Sequence, residues 1–177
     1  KGENVANPLP IIERKPGTSI YAQMLRLTSE GTLRISGADP KAPIDVEPNW
    51  LSTDYDKQMA VNILRYIRRY LSQPAIAPYL GREKLPGDHI QTDEQILDMF
   101  YRDATCGTHA VATCRMGPPG EGVLDGRARV QGVDGLRVVD CSTMPGLTSG
   151  NTNAPAMAVG WRASDLILED ARLRNAA

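Results

Sequence analysis

The stretch RVQGVDGLRVVDCSTMP, residues 129–145, decides the fold. RARVQG (127–132) and LRVVD (136–140) read as two short strands joined through Val133-Asp134-Gly135, and a short Asp-Gly connection of this kind predicts a hairpin. Leu136–Val139 alternates poorly, which predicts a strand covered on both faces. Asp140 ends that strand, just before Cys141. In α/β folds an acid at the carboxyl end of a buried strand can hold ligand hydroxyls, although a turn or cap carboxylate reads the same way.

Toward the C-terminus comes TSGNTNAPAM (148–157). Asparagine is a poor helix former and a good cap, so Asn153 fits the N-cap, with Pro155 in the first turn. Asn151 then lies on the Ser-Gly loop, free to offer its amide to a ligand. The helix, expected over 154–173, carries partial positive charge at its N-terminus and would stabilise negative charge on a bound group. Its first half, APAMAVGW, is small and apolar and predicts burial. Its second half carries Asp165, Glu169, Asp170, Arg172 and Arg174 and predicts a solvated surface.

Toward the N-terminus, CGTHAVATCRMG (106–117) holds His109 among small residues. The other histidine, His89, follows Pro86-Gly87-Asp88 in a turn and reads as a surface residue. A lone histidine is more often structural than catalytic; here the small neighbours leave room for a ligand. Cys106, His109, Cys114 and Cys141 could form a Cys3His zinc set, but the spacing lacks Cys-x-x-Cys knuckles, and small buried hydrophobes explain the thiols better. GEGVLDG (120–126) has its third glycine one residue late for a dinucleotide turn and reads as a loop; neither a P-loop nor an esterase elbow is present.

Further back, Thr53 and Asp56 make a capping-box pattern before Ala60, Ile63, Leu64, Ile67, Tyr70 and Leu71 at helical spacing. Arg65, Arg68 and Arg69 fall on the other face and read as solvated. Pro74 ends the helix. A second helix is expected from Thr92, with Gln95 as its box partner and Ile96, Leu97 and Phe100 inside. YAQMLRL (21–27) and TLRIS (32–36) predict a hairpin around Ser29-Glu30-Gly31, and ADPKAPIDVEPNWLS (38–52) reads as irregular. Residues 1–17 read as an extended lead-in.

The bulk numbers set limits. The 177 residues are 41% hydrophobic and 23% charged, with formal net charge −1. No basic excess points to nucleic acid, and no apolar run approaches membrane-spanning length. Three cysteines fit reduced thiols, as in a cytoplasm, better than a disulfide framework, though one pair plus a spare would also fit an oxidising compartment. The chain opens KGENVANPLP, without Met or a signal-peptide pattern, so a fragment or processed chain is expected.

Taken together, HAVATCRMG (109–117), RVQGVDGLRVVDCSTMP (129–145), SGNTNAP (149–155) and WRASDLI (161–167) resemble the C-terminal signature of the glucose–methanol–choline (GMC) family of FAD-dependent oxidoreductases, in order and spacing. Residues 26–52 and the helix after them are similar to the family's substrate-binding lobe. The resemblance implies an α/β fold: an α+β substrate-lobe part over 1–112, and over 113–177 the C-terminal part of an FAD-binding domain lacking its ADP-binding βαβ unit. It implies oxidation of an alcohol CH–OH to a carbonyl with FAD as cofactor. His109 would be the base, since histidine titrates near neutrality, and Asn151 would orient the substrate oxygen. Asp140 and Cys141 would lie along the flavin's ribityl and pyrophosphate region. Asn151, Thr152, Asn153 and Ala154 would face its ring. The partners implied are a small-molecule alcohol and an N-terminal FAD-binding portion of the same protein; no metal is implied. Some family members cleave cyanohydrins with FAD kept for structure, and a non-catalytic partner subunit is a further alternative. One departure stands out: the family usually has Gly where this chain has Ala112.

Overall fold

The computed structural model describes residues 16–176, so most of the lead-in expected over 1–17 lies outside the described residues. The elements run β1 (Thr32–Ile35), β2 (Ile44–Glu47), α1 (Asp54–Leu71), α2 (Asp93–Asp103) and α3 (Asn153–Ala176), with 3-10 turns at Ala77–Tyr79 and Cys141–Thr143. Helices beside a small sheet make an α/β chain, as expected. Among the described residues no helix is long and apolar enough to cross a membrane, and all three cysteines are free thiols.

β1 pairs antiparallel with β2, Thr32 opposite Glu47 and Ile35 opposite Ile44. The hairpin therefore folds differently from the sequence expectation: its second arm lies in the stretch read as irregular, and residues 21–27 form no strand. The cause lies at Thr28 and Ser29. Their N–H groups donate to the Asp56 carboxylate at 2.9 and 2.7 Å, which pins the chain to α1 instead of letting it turn back. The turn that does form is built on Asp39, whose carboxylate accepts the Lys41 N–H and whose carbonyl accepts the Ala42 N–H. Gly31 lets the strands close, since a Cβ there would lie 2.3 Å from the Glu47 carbonyl oxygen.

Thr53 caps α1, its Oγ1 accepting the Asp56 N–H at 3.2 Å. The box is half of the expected one: the Asp56 carboxylate turns to Thr28 and Ser29 and is fully buried there. α2 has the complete box, with Thr92 and Gln95 each accepting the other's backbone N–H. The two helices share a core of Val61, Leu64, Ile90 and Ile96, flanked by Leu97, Met99 and Phe100. Arg68 is not solvated as its position on the polar face suggested. Its guanidinium donates twice to Glu83 and to the carbonyls of Gly87 and Ile90, fastening the 83–90 loop to α1.

The C-terminal part is held by isolated bridges, not full strands. Leu124 pairs with Val130, and Arg129 with Arg137, so the expected 127–140 hairpin is present in abbreviated form. Leu136 and Val139 are exposed, contrary to the doubly covered strand expected. α3 departs from its expected burial in its first half and at Asp170, whereas Asp165, Glu169, Arg172 and Arg174 are exposed as expected. Met157 and Trp161 are exposed, whereas Ala163, Leu166 and Asp170, spaced as one helical stripe, are buried. That stripe faces the hairpin. Asp170 pairs with Arg127, Arg129 and Arg137 together, and these arginines tie the hairpin to the helix.

Candidate active site

Three segments meet where His109 lies. The first is the turn at Cys106–His109. Thr108 takes φ +58°, and its N–H donates to the Cys106 Sγ at 3.3 Å. The second is the loop entering α3. Thr152, buried between the exposed Asn151 and Asn153, brings its Oγ1 within 2.9 Å of His109 Nδ1. The third is the strand-free segment 23–26. Arg26 donates from Nε to Ser149 Oγ at 3.0 Å. The Gln23 amide packs against Gly107, on the side of that glycine where the His109 ring edge also lies.

α3 begins one residue earlier than expected. The Thr152 carbonyl accepts the Ala156 N–H, so Thr152 holds the cap position and Asn153 is the first helical residue. Asn151 is exposed, and among the described residues no hydrogen bond engages its amide. It is therefore free to reach a ligand beside the residue that touches His109. Asn153 and Ala154 are exposed too, and the first-turn N–H groups have no carbonyl four residues back within the helix. The open end of a 24-residue helix thus lies next to a half-buried imidazole. Asp140 is exposed, and its Oδ1 accepts the Ser142 N–H at 2.7 Å, capping the 3-10 turn. The Cys141 thiol donates to the Thr152 carbonyl at 3.8 Å. The loop geometry thus gathers His109, Asp140, Cys141 and residues 151–154 around the start of α3. Among the described residues no three His, Cys, Asp or Glu side chains are disposed to hold a metal.

Sequence reasoning missed the Thr152–His109 bond and the approach of Gln23. Both link residues far apart in the chain, and local spacing carries no signal for them. Ala112, the departure from the family pattern, takes φ +71°. This left-handed backbone is where glycine is preferred.

Comparison with known proteins bears on this arrangement. The family model described as GMC oxidoreductase matches residues 28–160. The chain belongs to the GMC oxidoreductase family. GMC oxidoreductases are FAD-dependent flavoproteins. Over 151 residues the chain is 40% identical to mitochondrial choline dehydrogenase of Homo sapiens, covering 84% of this chain and 25% of that protein. Among solved GMC structures it matches pyridoxine 4-oxidase from Mesorbium loti with TM-score 0.75 and 30% identity, covering 80% of this chain and 28% of that one. It also matches an FAD-dependent oxidoreductase from Chaetomium thermophilum, with TM-score 0.76 and 28% identity, covering 84% and 26%. The chain thus spans about a quarter of the length of the curated relatives it matches.

Proposed function

We propose that this chain is the base-bearing part of an FAD-dependent enzyme that oxidises an alcohol CH–OH to an aldehyde or ketone, working with an N-terminal FAD-binding portion of the same protein. In this reading residues 1–112 belong to the substrate lobe and 113–177 complete the FAD-binding domain. The carrying observation is the half-buried His109, fixed through Nδ1 and set beside the exposed start of α3. Relatives named for choline and pyridoxine, both of which carry a CH2OH group, support the substrate class.

The donor set fits a flavin. The free N–H groups of Asn153 and Ala154, at the positive end of α3, suit the ring edge on which negative charge gathers. Asp140 and Cys141 would line the ribityl side. When bound, FAD supplies the hydride acceptor. The chain's own residues do the remaining work. His109 would take the hydroxyl proton as the C–H bond breaks, and the electron pair left on oxygen becomes the second bond of the carbonyl as hydride leaves the carbon. The Asn151 amide donates to that oxygen and orients it, and having no titrating nitrogen it cannot itself be the base.

Two measurements test this. Anaerobic mixing of the flavin-loaded enzyme with an alcohol substrate bleaches the flavin if the reading holds, whereas a cyanohydrin lyase leaves it yellow. His109→Ala lowers turnover by about 10²- to 10⁴-fold; turnover within a few fold of wild type removes His109 from the role.

A further inference from the structure

Thr152 is 7% exposed although both chain neighbours are exposed. A hydroxyl turned inward between two outward amides has a partner to satisfy, and that partner is His109 Nδ1 at 2.9 Å. The Thr152 backbone is held as well. Its carbonyl accepts the Ala156 N–H at 2.9 Å inside α3 and the Cys141 thiol at 3.8 Å from the 3-10 turn. The hydroxyl is therefore anchored to two elements of the 113–177 part, while the imidazole it touches arrives from the 106–109 turn.

We propose that Thr152 is a positioning residue: it accepts the Nδ1–H of neutral His109, fixes the tautomer and rotation of the ring, and leaves the Nε2 lone pair as the proton acceptor. This inference rests on the reading of His109 as base. A neutral imidazole carries one N–H, so holding it at Nδ1 makes Nε2 the acceptor; the opposite tautomer would present a donor to the substrate and could not take a proton there. When Nε2 gains the substrate proton, the bond from Nδ1–H to Thr152 becomes charge-assisted and shortens, so it stabilises the protonated ring more than the neutral one. A hydroxyl has both lone pairs and a hydrogen and could take either role toward Nδ1; the proposal commits it to accepting. Neither neighbouring asparagine can substitute, because both are directed to the exposed side of the loop.

The test uses the flavin-loaded enzyme, with Thr152→Val to remove the hydroxyl at constant shape and Thr152→Ser to restore it. Thr152→Val is expected to lower kcat by about 10- to 100-fold with KM changed far less, and Thr152→Ser to recover most of the loss. Independently of activity, ¹⁵N NMR of histidine-labelled wild-type enzyme is expected to show His109 protonated at Nδ1, and Thr152→Val to show a mixture of tautomers. A wild-type ring protonated at Nε2 overturns the proposal whether or not the variants fold. So does a Thr152→Val enzyme with wild-type kcat and an unchanged tautomer. If His109→Ala loses turnover while Thr152→Val does not, only the Thr152 role falls. If neither loses it, the reading of His109 as base falls with it.

Discussion

At Ala112 the backbone takes φ +71° and its carbonyl accepts the Arg115 N–H, closing a turn three residues after His109. A side chain in this region costs about 1–2 kcal/mol, whereas replacing Ala by Gly frees the unfolded chain by about 0.4–1 kcal/mol. Ala112→Gly is therefore expected to be neutral or stabilising by up to about 1.6 kcal/mol in chemical denaturation, where the same change in a helix interior destabilises. His109 and Asn151 could be singled out as candidates from the sequence because they fall inside distinctive short motifs. The Thr152–His109 bond was not, because a contact across 43 residues depends on how the α3 loop folds back. The cap position falls at Thr152 and not at Asn153 because the Ala156 N–H bonds the Thr152 carbonyl, a one-residue difference that two adjacent good caps do not resolve in sequence.

At the scale of elements, Asp56 does more than the capping pattern implied. Burial pushes its carboxyl up, but the Ser29 hydroxyl and the N–H groups of Thr28 and Ser29 together outweigh this and hold it below the usual carboxylate range. With the folded value depressed, its contribution is fully present above about pH 4 and is lost as the pH falls through the folded value. Asp56→Ala leaves buried donors unpaired and is expected to cost about 2–4 kcal/mol in urea unfolding, with a flatter stability profile below pH 4. Asp170 is likewise held low, first by its bond to Arg129 and then by Arg137 and Arg127 against the opposing effect of burial. Asp170→Asn is expected to lower the melting temperature at neutral pH and to narrow that difference in acid. Helices α1 and α2 were legible because cap and apolar stripe agree. The β1–β2 hairpin was not, because Pro43 and Pro48 hide a four-residue strand and the decisive contact is Asp56 reaching back to residues 28 and 29. The burial of the first half of α3 and of Asp170 was misread because composition cannot say which face of a helix finds a neighbour; the arginines around Asp170 settle that for its own turn.

At the scale of the molecule, Ile35, Trp161 and Leu173 are 84%, 78% and 68% exposed. Large side chains left so open on β1 and along α3 suit the proposed N-terminal portion, and the chain covers about a quarter of its relatives. This chain alone is expected to retain no FAD through gel filtration, whereas the chain joined to that portion is expected to elute yellow. The rate of anaerobic flavin reduction as a function of pH, measured with a small primary alcohol for wild type and His109→Gln, tests whether His109 is the base. Wild-type reduction is expected to accelerate through one ionisation as pH rises, and His109→Gln to be slower by about 10²- to 10⁴-fold and to lack that ionisation. A variant that reduces its flavin at the wild-type rate, with the wild-type pH profile, would contradict that assignment.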